Sequence, residues 1–479
     1  MSEIIGCGRE LHRQKHFLYF GRQDLTPPAN KQKSVQYLNQ GRGNSRAEAV
    51  IVTYYYELIT SAPPLEALVR AAKMLLEHGT IKPWSQEGSA ALTKPDSYDE
   101  YMSWITDIQL LGYNGKEGVE CGLVKIAYPL ILFDKRNDKL PPLAQMMEII
   151  AGEAMFAFSF YQGAKIVDID LPPVLLKKFP GQRWPHKRIR KYLRLGPHEP
   201  MIGTIVKPKT GLTPEIFSHC VVEAAQNGAH FTKADENMHL TLKEIPIFIG
   251  RATRDLVSAG FDLGRGNNKR GQRFLFAPHI TADNDNIMDY AAAAVKAGAN
   301  ALMFSPYYGG GFLKMAQIIK KIDIPVYAHT AGMNVYSGSA NWGISANINY
   351  LLSALFGAAF MQITTVGGYL KPLDEEKATI FAILHKYGLD GDNGMTLAIA
   401  GGMGPKVAGE NLKSLGEEGK MLLAGSSVYG HPDGPAGGVK ALITAYRAYN
   451  ERKITRLNEL ISYGRELGQD GAALLRAIE

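Results

Sequence analysis

After position 200 the chain repeats one pattern eight times: a short apolar run, then a stretch with helical spacing. The runs are "MIGTIVK" (201–207), "AHFTK" (229–233), "RFLFAPH" (273–279), "NALMFS" (300–305), "IPVYAHT" (324–330), "AAFMQIT" (358–364), "MTLAIAG" (395–401) and "KMLLAGS" (420–426). Between them lie segments such as "PEIFSHCVVEAAQNG", "NIMDYAAAAVKAGA" and "EEKATIFAILHKYG", whose apolar residues recur every three to four positions. Eight strand–helix units in succession over about 250 residues match the length and rhythm of a closed (β/α)8 barrel, in which each helix packs back onto the sheet with one hand. An open doubly wound sheet satisfies the same alternation, because short apolar runs place strands better than they place strand boundaries.

The region before position 200 lacks that rhythm. "AEAVIVTYYYEL", starting at Ala47, is β-branched and aromatic and reads as a strand, and "PPLEALVRAAKMLLEH" reads as a helix with prolines at its start. "GLVKIAYPLILF" (122–133) and "AKIVDIDLP" add strands around the helical "LAQMMEIIAGEAMFAF". The expected organisation is a polar N-terminal extension (1–45), a smaller N-terminal α+β domain with its connection (46–198), and the barrel with C-terminal helices (199–479).

Composition narrows the class. The 479 residues are 46% hydrophobic and 21% charged, and no apolar run reaches the about 20 residues of a membrane span, so a soluble cytoplasmic protein with no membrane partner is expected. A net charge of +7 is mild for this length and suits an anionic small molecule, with no need for nucleic acid. The densest basic stretch, "PHKRIRKYLR" (185–194), sets Ile189, Tyr192 and Leu193 at helical spacing and reads as a solvated helix face. Cys7, Cys121 and Cys220 are scattered and form no C-x-x-C pair, which suggests neither a disulfide framework nor a zinc site. The first twenty residues do not show the charged, apolar, small-residue order of a secretory signal.

Barrels of this kind place their chemistry at the C-terminal ends of the strands. Strand one ends in Lys207, with Lys209 two positions on; strand two in Lys233, Asp235 and Glu236; strand three in His279; strand five in His329. Strands seven and eight end in Gly401–Gly402 and Gly425–Ser426, where backbone amides can approach a phosphate. Any one of these can be an ordinary loop residue, and His279 taken alone reads as a satisfied structural histidine. Asp235 and Glu236 together offer hard oxygen ligands that suit Mg²⁺ while leaving positions for a substrate. A lysine does not ligate as an ammonium, but neutral Lys233 can attack CO₂ to give a carbamate, an anionic oxygen ligand.

"GTIVKPKTGL" (203–212) and "GAHFTKADE" (228–236) resemble the two signature stretches of the ribulose-bisphosphate carboxylase/oxygenase (RuBisCO) large-subunit superfamily. "AIAGGMGP" and "LLAGSSVYGHPDGPAGG" are similar to its later phosphate-binding segments. The resemblance implies a homodimer or dimer-based oligomer, carbamylated Lys233 with Asp235 and Glu236 on Mg²⁺, Lys207 as the proton-transferring residue and His329 in the place of the catalytic histidine. Glu77 and Thr80 loosely match the N-terminal contact segment.

The departures bear on the reaction. The family's H-x-H-R reads Tyr327-Ala328-His329-Thr330, so Thr330 stands where an arginine grips a second phosphate. Gln362 replaces the strand-six histidine, Glu153 an asparagine of the N-terminal domain, and Ala400 a serine. In the loop "TVGGYLKPLDEE" the lysine position falls on Leu370, with Lys371 one residue away. Losing several charge-stabilising groups together argues against bisphosphate carboxylation. The resemblance is therefore to a RuBisCO-like protein of the form IV type, an enzyme for Mg²⁺-dependent enolisation of a phosphorylated sugar-like ketone, ending in tautomerisation or isomerisation. The alternatives are a carboxylase with an atypical loop, a decarboxylase of a branched acid-sugar phosphate, and a non-catalytic barrel protein.

Overall fold

The computed structural model describes residues 49–59, 63–79, 101, 103–113, 119–133, 141–196, 199–264, 270–283, 285–307, 311–368 and 370–479. The N-terminal extension, Cys7 and Thr80 lie outside these residues, as does the side chain of Glu77. The chain forms two compact units, one comprising residues up to Phe179 together with Asn334–Asn349, the other Pro180–Met333 with Tyr350–Glu479. Among the described residues no helix is long and apolar enough to cross a membrane.

The first unit is built on a five-stranded sheet. β1 (Ala49–Ile59), β2 (Trp104–Tyr113), β3 (Val119–Pro129) and β4 (Tyr161–Asp170) run antiparallel in the order β4-β1-β3-β2. Alternate residues of β1, from Val50 through Tyr54 and Tyr56 to Leu58, are fully buried on one face, as the two-residue period of a half-covered strand requires. The Tyr54 hydroxyl meets Tyr128 Oη at 2.7 Å and Ile150 O at 3.0 Å, which answers the polar end of a buried ring. β2 escapes a sequence reading because register shifts at Ile105/Asp107 and Leu110/Gly112 break its alternation.

The second unit is the barrel. Its eight parallel strands are β5 (Ile202–Ile205), β6 (Phe231–Lys233), β7 (Leu275–Ala277), β8 (Leu302–Phe304), β9 (Val326–Ala328), β11 (Phe360–Thr364), β12 (Thr396–Ala400) and β13 (Lys420–Ala424), in the cyclic order β7-β6-β5-β13-β12-β11-β9-β8. The seam between β7 and β8 is joined by Ala301 N to Phe276 O, Met303 N to Pro278 O and Ile280 N to Met303 O, at 3.2, 2.9 and 2.9 Å. That seam rules out the open doubly wound sheet. Inside, Phe231, Leu275, Ala277, Met303, Tyr327, Phe360, Ala398 and Leu423 fill the core, the packed interior expected of a barrel.

Two features depart from the expected boundaries. Residues 180–198 were assigned to the N-terminal connection, but the helix His186–Leu193 puts Ile189 and Leu193 into the barrel core, and His186 N donates to Gly394 O at 2.8 Å. Conversely, β10 (Trp342–Ile344), which lies between β9 and β11 in the chain, pairs in parallel with β4 of the first unit. The C-terminal tail forms the helices Leu457–Glu466 and Ala472–Ile478, which bury Leu460, Tyr463, Leu474 and Ile478.

Candidate active site

The strand period decides which side chains enter the barrel. Phe231 and Tyr327 are core residues, so Lys233 and His329, each two positions further on, share their inward face. The rings of Phe231, Tyr327 and Phe360 form an aromatic floor, with centroids 6.0 Å apart for the first pair and 6.3 Å for the second. Lys233 is 0% exposed; its Nζ lies 5.4 Å above the Tyr327 ring and donates to Ala234 O at 3.3 Å.

Around that lysine the loops bring the ionisable residues together. Lys207 Nζ donates to Asp235 Oδ2, and the Asn237 amide donates to Asp235 Oδ1 at 3.2 Å. Lys209 Nζ is 3.9 Å from Asp235 Oδ1 and 3.5 Å from Glu236 Oε1. Glu236 Oε2 lies 3.4 Å from His329 Nε2. Because His329 Nδ1 accepts from the Ala331 amide at 3.1 Å, the ring proton sits on Nε2 and points to that carboxylate.

The electrostatics follow from burial. Burial pushes the Lys233 amine down to about 8; the nearby Glu236 and Asp235 charges oppose this, and Lys207 and Lys209 reinforce it. Burial alone would raise Glu236, but backbone hydrogen bonding, the Lys233 charge, a hydrogen bond with Asp235 and the Lys209 charge leave its carboxyl below the ordinary range. His329 is held neutral, first by burial and then by Lys233 and His279.

The remaining predicted residues line the same barrel end. Gly401 and Gly402 have φ of 82° and 93°, a left-handed conformation that glycine adopts without strain. A Cβ on Gly401 would lie 2.7 Å from Leu370 Cδ1 and 4.0 Å from Gln362 Nε2, and one on Gly425 would lie 3.2 Å from Lys207 Cε. Ser426 is exposed at the start of the short helix Ser426–Tyr429, and Thr330 is half-buried next to His329. Glu153 is exposed at the start of the helix Glu153–Phe156 in the first unit.

The expectation for His279 is corrected here. Its Nδ1 is 3.2 Å from Met238 O, but Nε2 is buried and has no partner among the described residues, so the ring is not satisfied. Tyr327 also escaped the sequence reading, although its place two residues before His329 marked it as part of the same face.

Among the described residues no three His, Cys, Asp or Glu side chains group to hold a metal. The donors do fit Mg²⁺ once Lys233 supplies the third anionic oxygen, because Asp235 and Glu236 are adjacent hard ligands and their present partners are cations that a divalent ion would displace. A separate cavity of about 820 Å³ opens at the other end of the barrel, lined by His186, Lys187, Arg190, Lys420, Tyr446 and Lys453 among others. Its Arg190 and Lys420 already donate to backbone carbonyls and Lys453 pairs with Glu417.

The fold is that of a two-unit α/β barrel protein with Lys207, Lys209, Lys233, Asp235, Glu236 and His329 gathered at the C-terminal ends of its strands. More narrowly, the chain belongs to the ribulose bisphosphate carboxylase large-chain family, whose catalytic-domain model matches residues 187–473 and whose N-terminal-domain model matches 88–175. It is similar to a ribulose bisphosphate carboxylase from Methanocaldococcus jannaschii, 27% identical over 81% of this chain and 90% of that one. It is also similar to a 2,3-diketo-5-methylthiopentyl-1-phosphate enolase from Bacillus cereus, 26% identical over 71% of this chain and 78% of that one. A solved RuBisCO-like protein from Alicyclobacillus acidocaldarius shares the fold, with a TM-score of 0.73 and 20% identity over 90% of this chain and 99% of that one.

Proposed function

We propose that the protein is a RuBisCO-like enzyme that enolises a singly phosphorylated, sugar-like ketone. The observation that carries this reading is Lys233: a fully buried amine, shifted toward neutrality, beside two carboxylates at the mouth of the barrel. A neutral amine in that place reacts with CO₂, and the adduct with Asp235 and Glu236 would hold Mg²⁺. When bound, that ion supplies Lewis-acid polarisation of a substrate carbonyl.

The chain's own groups have separate tasks. Lys207 Nζ, released from Asp235, would exchange a proton with the carbon next to the carbonyl. His329 Nε2–H supplies a neutral donor next to Glu236 Oε2. The amides after β12 and β13 suit one phosphate. At the second-phosphate and loop positions stand Thr330, Gln362 and Leu370, which offer no cation, so a monophosphate fits better than a bisphosphate. The enolase named among the relatives supports the reaction type, and the family supports a dimeric assembly.

The test is solvent exchange. The whole protein with Mg²⁺ and bicarbonate in D₂O is expected to wash deuterium into the α-position of at least one ketose phosphate from a panel, followed by NMR. Absence of exchange across the panel would overturn the reading.

A further inference from the structure

Two buried, neutral imidazoles, His279 and His329, follow the C-terminal ends of β7 and β9, and their hydrogen bonds fix opposite tautomers. His329 accepts at Nδ1 from Ala331 N–H, so it presents an N–H at Nε2. His279 Nδ1 lies 3.2 Å from the Met238 carbonyl oxygen, which can only accept, so His279 carries its proton on Nδ1 and presents a lone pair at Nε2. One ring is a donor and the other an acceptor.

The acceptor has nothing to accept from. His279 is 6% exposed, its Nε2 is buried without a partner among the described residues, and burial holds the ring neutral, with a pKa near 4. His279 follows Leu275 and Ala277, both in the barrel core, so it is the third inward residue of its strand, two positions beyond Ala277, which pairs with Lys233. The Lys233 and Glu236 charges both act on it, and the His239 ring lies 5.1 Å away, centroid to centroid. Left unmet, a buried acceptor is destabilising, and a ligand that brings an O–H removes that cost.

We propose that His279 Nε2 accepts a hydrogen bond from a hydroxyl of the bound substrate, which makes His279 a specificity residue and the substrate a hydroxylated ketose phosphate in place of a deoxy one. This rests on the enolisation reading and deepens it.

The test uses the full chain with Mg²⁺ and bicarbonate, and two ligands that differ by one hydroxyl, D-xylulose 5-phosphate and its 1-deoxy analogue. His279→Asn keeps an N–H for Met238 O but loses the acceptor at the Nε2 position; His279→Gln can restore an acceptor there. In the wild type the hydroxylated ligand should bind about tenfold or more tightly than the deoxy one, the scale of one polar group left unpaired. His279→Asn should abolish that ratio and His279→Gln should retain part of it. The ¹⁵N spectrum of labelled histidine should show an unprotonated Nε2 in the free protein, which moves on adding the hydroxylated ligand.

Several results would overturn the proposal: a protonated Nε2, a shift produced by Mg²⁺ alone, an equal response to the two ligands (failure to bind either included), or an Asn variant that behaves as wild type. The two readings fail separately. Deuterium exchange with normal KM in His279→Asn removes the hydroxyl contact and leaves enolisation standing, whereas a ligand preference in a protein that exchanges nothing does the reverse.

Discussion

Leu370 stands one residue before Lys371 in the loop after β11. Its side chain is 38% exposed, yet Cδ1 lies against Gly401, 2.7 Å from where a Cβ there would sit, so an apolar group occupies the place where the family pattern calls for an ammonium. Restoring that charge alone should not restore the reaction. Each absent charge-stabilising group costs on the order of 3 kcal/mol in the transition state, and Thr330 and Gln362 would still be uncharged after a Leu370→Lys change. The expected outcome is fixation of labelled CO₂ onto ribulose 1,5-bisphosphate at the wild-type background; a large rise would show that the loop lysine was the one missing group. What the sequence reveals at this scale depends on distance along the chain. Lys233, Asp235 and Glu236 were legible as a cluster because one strand end carries all three. The state of His279 was not, because its tautomer is set by a carbonyl, Met238 O, that arrives from the preceding loop.

The loop that carries Leu370 is tied down along its length. Val366 N donates to Asn411 Oδ1 and Gly367 N to Asp374 Oδ2, both at 2.8 Å, while the Thr364 hydroxyl donates to Pro372 O at 2.5 Å and the Thr365 hydroxyl to Gly401 O at 2.8 Å. Lys377, 3% exposed, anchors both ends of the loop by donating to Thr365 O at 2.9 Å and Asp374 Oδ1 at 2.6 Å. Substituting Lys377 with Met keeps most of its volume but removes the charged donor shared by Thr365 O and Asp374 Oδ1, leaving Thr365 O with the Gly368 amide at 3.3 Å, which should destabilise the barrel by about 1–3 kcal/mol. Urea unfolding measures that loss, and faster amide exchange at Val366 and Gly367 should accompany it; an unchanged midpoint would show that the anchor contributes nothing. The barrel strands were legible because each is a buried apolar run bounded by polar loops. The pinning was not, since Asn411 and Lys377 belong to helices whose facing surfaces no periodicity in the loop reveals.

At the scale of the molecule, the chain does not divide where a linear reading would cut it. Between β9 and β11 it leaves the barrel, just after His329, and residues 334–349 join the first unit before the chain returns ahead of Gln362. Three residues of β10 are too few and too glycine-interrupted to show as a strand in the sequence; their structure comes from β4, against which Trp342, Gly343 and Ile344 pair with Ala164, Lys165 and Ile166. Side chains add to that ladder: buried Asn347 Nδ2 donates to Val167 O at 3.0 Å, half-buried Asn341 Nδ2 to Glu57 Oε2 at 3.1 Å, and buried Lys165 Nζ to Ser337 O at 3.3 Å. A fragment spanning 180–479 would keep the whole barrel core but strip the excursion of these partners, and an unpaired strand of that kind opens to solvent. Such a fragment should therefore be cut first within 334–349 by a low concentration of protease, as read by mass spectrometry of the earliest products, while the complete chain resists there. Equal resistance in both would mean that the excursion holds its own structure and that its pairing with β4 is dispensable. The predicted cut lies on the connection between His329 and Gln362.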